Sequence, residues 1–154
     1  MAPASRRGAA FGDIFNNGNI DIVILNVGRP PSLLLNTAKN PNHRVLFKLV
    51  GTQSNRAAIG ARVTIQAGTL RQLSEVRGGS SYLSQNDLRL HFGLGGETKL
   101  DAVEIRWPSG KIENLKNLPA DCIYQIVEGN GVLLSTPLPP LIAATQSPVQ
   151  AVNR

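Results

Sequence analysis

The sequence predicts an all-β fold, an antiparallel sandwich or barrel-like domain, and three observations carry that prediction. Fifteen glycines and ten prolines divide the chain into short segments. Several segments alternate apolar and polar residues with the period of a strand, and none sustains an apolar pattern of helical period beyond two turns. Their spacing suits a sandwich or barrel and does not suit strands alternating with crossover helices.

In chain order, strands are expected first at residues 22–25 and 45–50. The clearest strand is 61–67, where Ala61, Val63, Ile65 and Ala67 share one face and Arg62, Thr64 and Gln66 point the other way. One face is therefore core and the other wet. A strand at 70–76 follows. Residues 88–94 repeat the alternation, with Leu88, Leu90, Phe92 and Leu94 inward and Arg89, His91 and Gly93 outward. A slip of one residue there would bury an arginine. Val103, Ile105 and Trp107 alternate with Glu104 and Arg106, Pro108, Ser109 and Gly110 interrupt, and 112–115 resumes, which predicts a hairpin. Strands at 123–127 and 132–134 complete the set. Val63, Ile65, Leu90, Phe92, Ile105 and Trp107 are accordingly expected in the core.

The 154 residues allow one domain of ordinary size, or a small domain with a piece of another. Sixteen Lys and Arg against ten Asp and Glu give a formal charge of +6, and 42% of residues are hydrophobic, a composition that can fold. No apolar run approaches the roughly 20 residues of a membrane span, and residues 1–15 lack the apolar core of a secretory signal. The single Cys122 excludes an intramolecular disulfide and a multi-cysteine zinc cluster, and a buried, inert thiol is expected. The cations are dispersed without aromatic interleaving, which disfavours nucleic acid, although a sheet can still gather them on one face. A polar seam at 37–43 separates a first part too short to fold without a partner surface from the main domain at 43–134. Residues 135–154, with Pro137, Pro139, Pro140 and Pro148, are expected to form a flexible tail.

Four passages in the main domain carry a family resemblance. They are Gly51-Thr52-Gln53-Ser54-Asn55-Arg56 with Ile59-Gly60-Ala61; residues 77–84 with Gln85-Asn86-Asp87; His91-Phe92-Gly93-Leu94-Gly95; and Trp107-Pro108-Ser109-Gly110. Together they resemble the ASPIC/UnbV domain, which is found in bacterial secreted proteins and in the cartilage acidic protein family. Phe11-Gly12-Asp13 and the stretch to Leu35-Asn36 resemble one FG-GAP, or VCBS-type, repeat, the blade of integrin-like propellers. The resemblance implies a partial blade at 9–37, upstream propeller blades as partners, and a chain that is the C-terminal part of a longer extracellular or periplasmic protein. It implies a non-catalytic binding or adhesion module and brings no catalytic residues. An accessory domain of a secreted enzyme and a structural cap on a propeller are the alternatives.

Calcium-binding blades place oxygen ligands at alternate loop positions, because the ion takes roughly six to eight oxygens around a tight turn. Here Asp13, Asn17, Asn19 and Asp21 supply oxygen around Gly18, while Phe15 occupies a position with none, so calcium binding is expected to be weak or absent. No other cofactor is expected. Asn55 and Arg56 precede one strongly patterned strand and Asn86 and Asp87 precede another. These four are candidates for a surface that binds a polar or acidic glycan or a protein, with Arg56 gripping a carboxylate or sulfate. As turn formers, the asparagines and the aspartate have an alternative role in satisfying loop backbone groups.

Overall fold

The computed structural model describes residues 5–38 and 41–139. Among them are eleven strands and no helix: β1 Arg6–Gly12, β2 Asp21–Asn26, β3 Ser32–Leu34, β4 His43–Val50, β5 Arg62–Ala67, β6 Leu70–Glu75, β7 Leu90–Gly95, β8 Lys99–Arg106, β9 Ile112–Pro119, β10 Cys122–Val127 and β11 Gly131–Pro137. They form three sheets, in the orders β1-β2-β3, β11-β10-β4-β7 and β6-β5-β8-β9. None closes into a barrel, so the main domain is a sandwich of the two four-stranded sheets.

The core between those sheets contains all six residues expected there: Val63, Ile65, Leu90, Phe92, Ile105 and Trp107 are buried together with Val45, Phe47, Tyr124 and Ile126. Phe47 lies at its centre, edge-on to Phe92 and stacked on Tyr124. The alternation of β5 sets its register, with Val63 opposite Ile105 and Ile65 opposite Val103 on β8, so inward residues meet across the pair. The β8–β9 hairpin turns at Pro108, Ser109 and Gly110, where the Trp107 amide donates to the Lys111 carbonyl. Gly110 has φ +89°, a conformation that favours glycine.

Three features differ from expectation. β10 pairs with β4 in parallel, Tyr124 opposite Phe47, so the sandwich is not antiparallel throughout. Two strands, β1 and β3, are additional, because their residues show little alternation. β11 runs to Pro137, and Leu138 is buried, its amide donating to the Asp121 carbonyl. Residues 140–154 of the expected tail lie outside the described residues, as do Lys39 and Asn40 of the seam. Cys122 is a free, half-buried thiol at the start of β10. No helix among the described residues is long and apolar enough to cross a membrane.

The meander β1–β3 docks on the sandwich through its loop at 13–20. Arg89 donates to the Asp13 carbonyl at 2.7 Å, Arg44 to the Asn17 carbonyl at 2.7 Å, and His91 Nε2 to the Gly18 carbonyl at 2.8 Å. The last contact requires the proton on Nε2. The outward positions of β4 and β7, wet in an isolated sheet, thus become donors to a neighbouring loop.

Candidate functional site

The loop after β4 owes its shape to one carboxylate. Glu128 is 2% exposed, and its Oε2 accepts the consecutive amides of Thr52, Gln53 and Ser54 at 2.8, 2.9 and 2.8 Å. Oε1 accepts the hydroxyls of Ser54 at 3.0 Å and Ser109 at 2.5 Å. Successive amides aimed at one anion form a nest. Gly51 allows the loop to fold back, since a Cβ there would collide with the Ser54 and Asn55 backbone. Burial by itself raises a carboxyl pKa, but the Ser109 hydroxyl and the Ser54 and Thr52 amides outweigh it and hold Glu128 at about 2. Two of the four motifs that carry the family resemblance therefore meet on one acid. Glu128 was not singled out from sequence, yet a signal existed: it continues the inward alternation of Tyr124 and Ile126 on β10.

The four expected ligand residues fall into two kinds. Asn55 closes its own turn, its Oδ1 accepting the Ile59 amide and its Nδ2 donating to the Ile59 carbonyl. Asn86 Oδ1 accepts the Phe11 amide at 3.0 Å, and its Nδ2 donates to Ser80 Oγ, tying β1 to this loop. Both asparagines serve backbone and loop. Asp87 also takes a backbone group, its Oδ1 accepting the Arg89 amide at 2.9 Å, but together with Arg56 it lines one groove of about 910 Å³ over the outer face of β4 and β10.

That groove follows from strand alternation. Phe47 and Leu49 point into the core, so Lys48 and Val50 face out, and Tyr124 and Ile126 likewise send Ile123, Gln125 and Val127 outward. Leu133 of β11 forms part of the lining and Asn16 belongs to it from the meander loop. Asp87 is bound by Arg89, whose Nε donates to Oδ2 at 2.7 Å. Among the described residues, Lys48 and Arg56 have no carboxylate partner, and both are exposed. The groove thus offers two cations without a carboxylate partner beside a floor that is apolar at Val50, Ile123, Val127 and Leu133 and polar at Gln125. Lys48 was missed at sequence level because a lone outward lysine looks like any solvated strand residue.

The loop at 13–21 has its oxygens largely engaged. Asp13 accepts the amides of Asn17 at 2.9 Å and Gly18 at 2.7 Å, Asn17 Oδ1 accepts the Asn19 amide, and Asp21 Oδ1 accepts the Asn36 amide. Asn19 Nδ2 donates to the Asn36 carbonyl. Asp21 Oδ2 alone of these carboxylate oxygens is buried without a partner. Phe15 is exposed and supplies no oxygen, and no group of three or more His, Cys, Asp or Glu able to hold a metal occurs among the described residues. Calcium takes roughly six to eight oxygens, and the loop's side chains offer two carboxylates and two amides toward them. Titration calorimetry with calcium is expected to show no site in the low micromolar range, and a dissociation constant there would contradict that expectation.

His43 Nδ1 donates to Asp121 Oδ2 at 2.6 Å, and Asp121 Oδ1 accepts from Arg44 at 3.2 Å. Both histidines therefore join segments of the fold.

No curated protein matches the chain. Residues 51–133 match the ASPIC and UnbV family. The matched span opens on Gly51 and takes in the whole Glu128 cluster, the Trp107–Pro108 turn and the β5–β10 core. It covers more than half of the 154 residues, and the chain belongs to the ASPIC and UnbV family.

Proposed function

We propose that this chain is a non-catalytic binding module, the C-terminal part of a longer extracellular or periplasmic protein in which β1–β3 is a remnant FG-GAP/VCBS-type blade next to integrin-like propeller blades. The observation that carries this reading is the uneven cover of the meander. Its loop is fastened to the sandwich by Arg44, Arg89 and His91, yet Leu25, Val27 and Leu33 on its strands and connections are 52, 51 and 45% exposed. A single three-stranded sheet cannot bury both of its faces, and a neighbouring blade supplies the missing layer. The groove supports the binding role, since Lys48 stands on a four-stranded sheet and Arg56 in the loop that Glu128 fastens after β4. The engagement of both histidines in holding loops supports a non-catalytic assignment. Calcium, where it binds, is a weak ligand of the meander loop.

The test is the protein expressed from its full natural reading frame. Blade-length Asp-rich repeats are expected upstream, with slower amide exchange in β2 and β3 than in the 154-residue chain. A full-length protein without such repeats, or with equal exchange in those strands, would overturn the propeller reading.

A further inference from the structure

Resting on the reading of the chain as a binding module, we propose that the groove over β4 and β10 takes an acidic peptide segment carrying apolar side chains. Charge selects the acidic partner. Of the charged residues lining the groove, Lys48, Arg56 and Arg89 are cations and Asp87 is the one carboxylate. Asp87 is already held by Arg89, with Oδ2 2.5 Å from the guanidinium. Lys48 and Arg56 are left to attract an anion, and Arg56 can take a carboxylate with two parallel donors.

The floor then decides between a peptide and a glycan. Val50, Ile123, Val127 and Leu133 make its apolar part, beside Gln125, Asn130 and Thr136, and among the described residues no aromatic ring lines the groove. A glycan laid on that apolar part would lose water from the hydroxyls above it, without a ring to stack on. Leucine or valine side chains would instead gain by burial, and Leu133, 65% exposed, has most of its surface still to cover. The volume of about 910 Å³ suits a few residues of extended chain.

Fluorescence polarisation on the full chain tests this with four probes: short peptides mixing glutamate with leucine, the same peptides with glutamine or lysine in place of glutamate, and a sulfated heparin-type oligosaccharide. The glutamate peptide is expected to bind, more weakly as salt rises, with the glutamine peptide about tenfold weaker. Lys48→Ala and Arg56→Ala are each expected to weaken the glutamate peptide several-fold to about tenfold at unchanged melting temperature, because both side chains are exposed. Lys116→Ala, exposed on β9 and away from the groove, should leave binding unchanged. Equal binding of the glutamate and glutamine peptides, or no loss in either groove variant, overturns the proposal. Binding of the oligosaccharide alone overturns the peptide while leaving the binding-module reading intact. Silence from all four probes removes the peptide and takes from the binding-module reading the site that supports it.

Discussion

Glu128→Ala is expected to destabilise the domain by about 3–5 kcal/mol, because it leaves several buried donors without an acceptor at a cost of about 1–3 kcal/mol each. Three amides and two hydroxyls converge on this carboxylate, and alanine leaves all five without their acceptor. The loss spreads because the cluster joins three parts of the chain. The Ser54 hydroxyl donates to Glu128 while accepting the Ser109 amide, and the Glu128 carbonyl accepts from Thr52 Oγ1. The loop at 51–56, the β8–β9 turn and the end of β10 should therefore loosen together. Glu128→Gln keeps the shape and one acceptor oxygen, but turns its NH2 group toward donors, so an intermediate loss is expected. Urea denaturation of the two variants measures this, and a loss below about 1 kcal/mol for alanine would show that water replaces the carboxylate at little cost.

The same acid gives the domain a pH dependence with a definite sign. Its pKa falls from an ordinary 4.5 to about 2 on folding, so the folded state favours the ionised form. The stabilisation is complete above the unfolded value and drains away as pH falls through the folded one. Wild type is expected to lose stability between about pH 4.5 and pH 2, and Glu128→Gln should lose less over that window. Parallel curves for the two proteins would show that other carboxylates dominate the acid transition.

Most of the sandwich was legible because one of its faces is dry. Alternation at 61–67, 88–94 and 103–107 identified β5, β7 and β8 and their inward residues, since any other register would have buried Arg62, Arg89 or Arg106. The parallel β4–β10 pair was not legible. Neighbours so far apart in sequence are chosen by the closing of the whole core around Phe47, and no local pattern records that choice. β1 and β3 were missed because neither Arg6–Gly12 nor the three residues Ser32–Leu34 alternate cleanly. In the candidate site, Arg56 and Asp87 were named and do line one groove, while Asn55 and Asn86 were named with them and spend their amides on Ile59, Phe11 and Ser80. Chain position before a strand cannot separate those roles, because both kinds of residue sit in the same loops. Asp87 also accepts a backbone amide, from Arg89, so what separates the two kinds is which side chains the fold turns toward the groove.

Arg44→Met is the second substitution with a large expected effect, about 2–4 kcal/mol, and its effect should be local. The arginine is buried, and its guanidinium donates to the carbonyls of Asn17 and Pro139 and to Asp121. Methionine keeps much of the apolar stem but satisfies none of the three. Gly18 lies against the same guanidinium. A Cβ there would strike Arg44, and its φ of +82° already favours glycine, so Gly18→Ala should undo the same contact from the other side. Arg44→Lys retains charge for Asp121, but one ammonium on a flexible stem lacks the planar fork that reaches both carbonyls through Nη2 while Nη1 meets Asp121, so partial rescue is expected. Hydrogen exchange distinguishes a local from a global loss. Faster exchange is expected at the Asn17 and Gly18 amides, which close the loop onto Asp13, with little change at Val63 or Ile105 in the core. Uniform acceleration across the sandwich would instead make Arg44 a support of the whole β4 sheet, and the meander would then be part of the main folding unit.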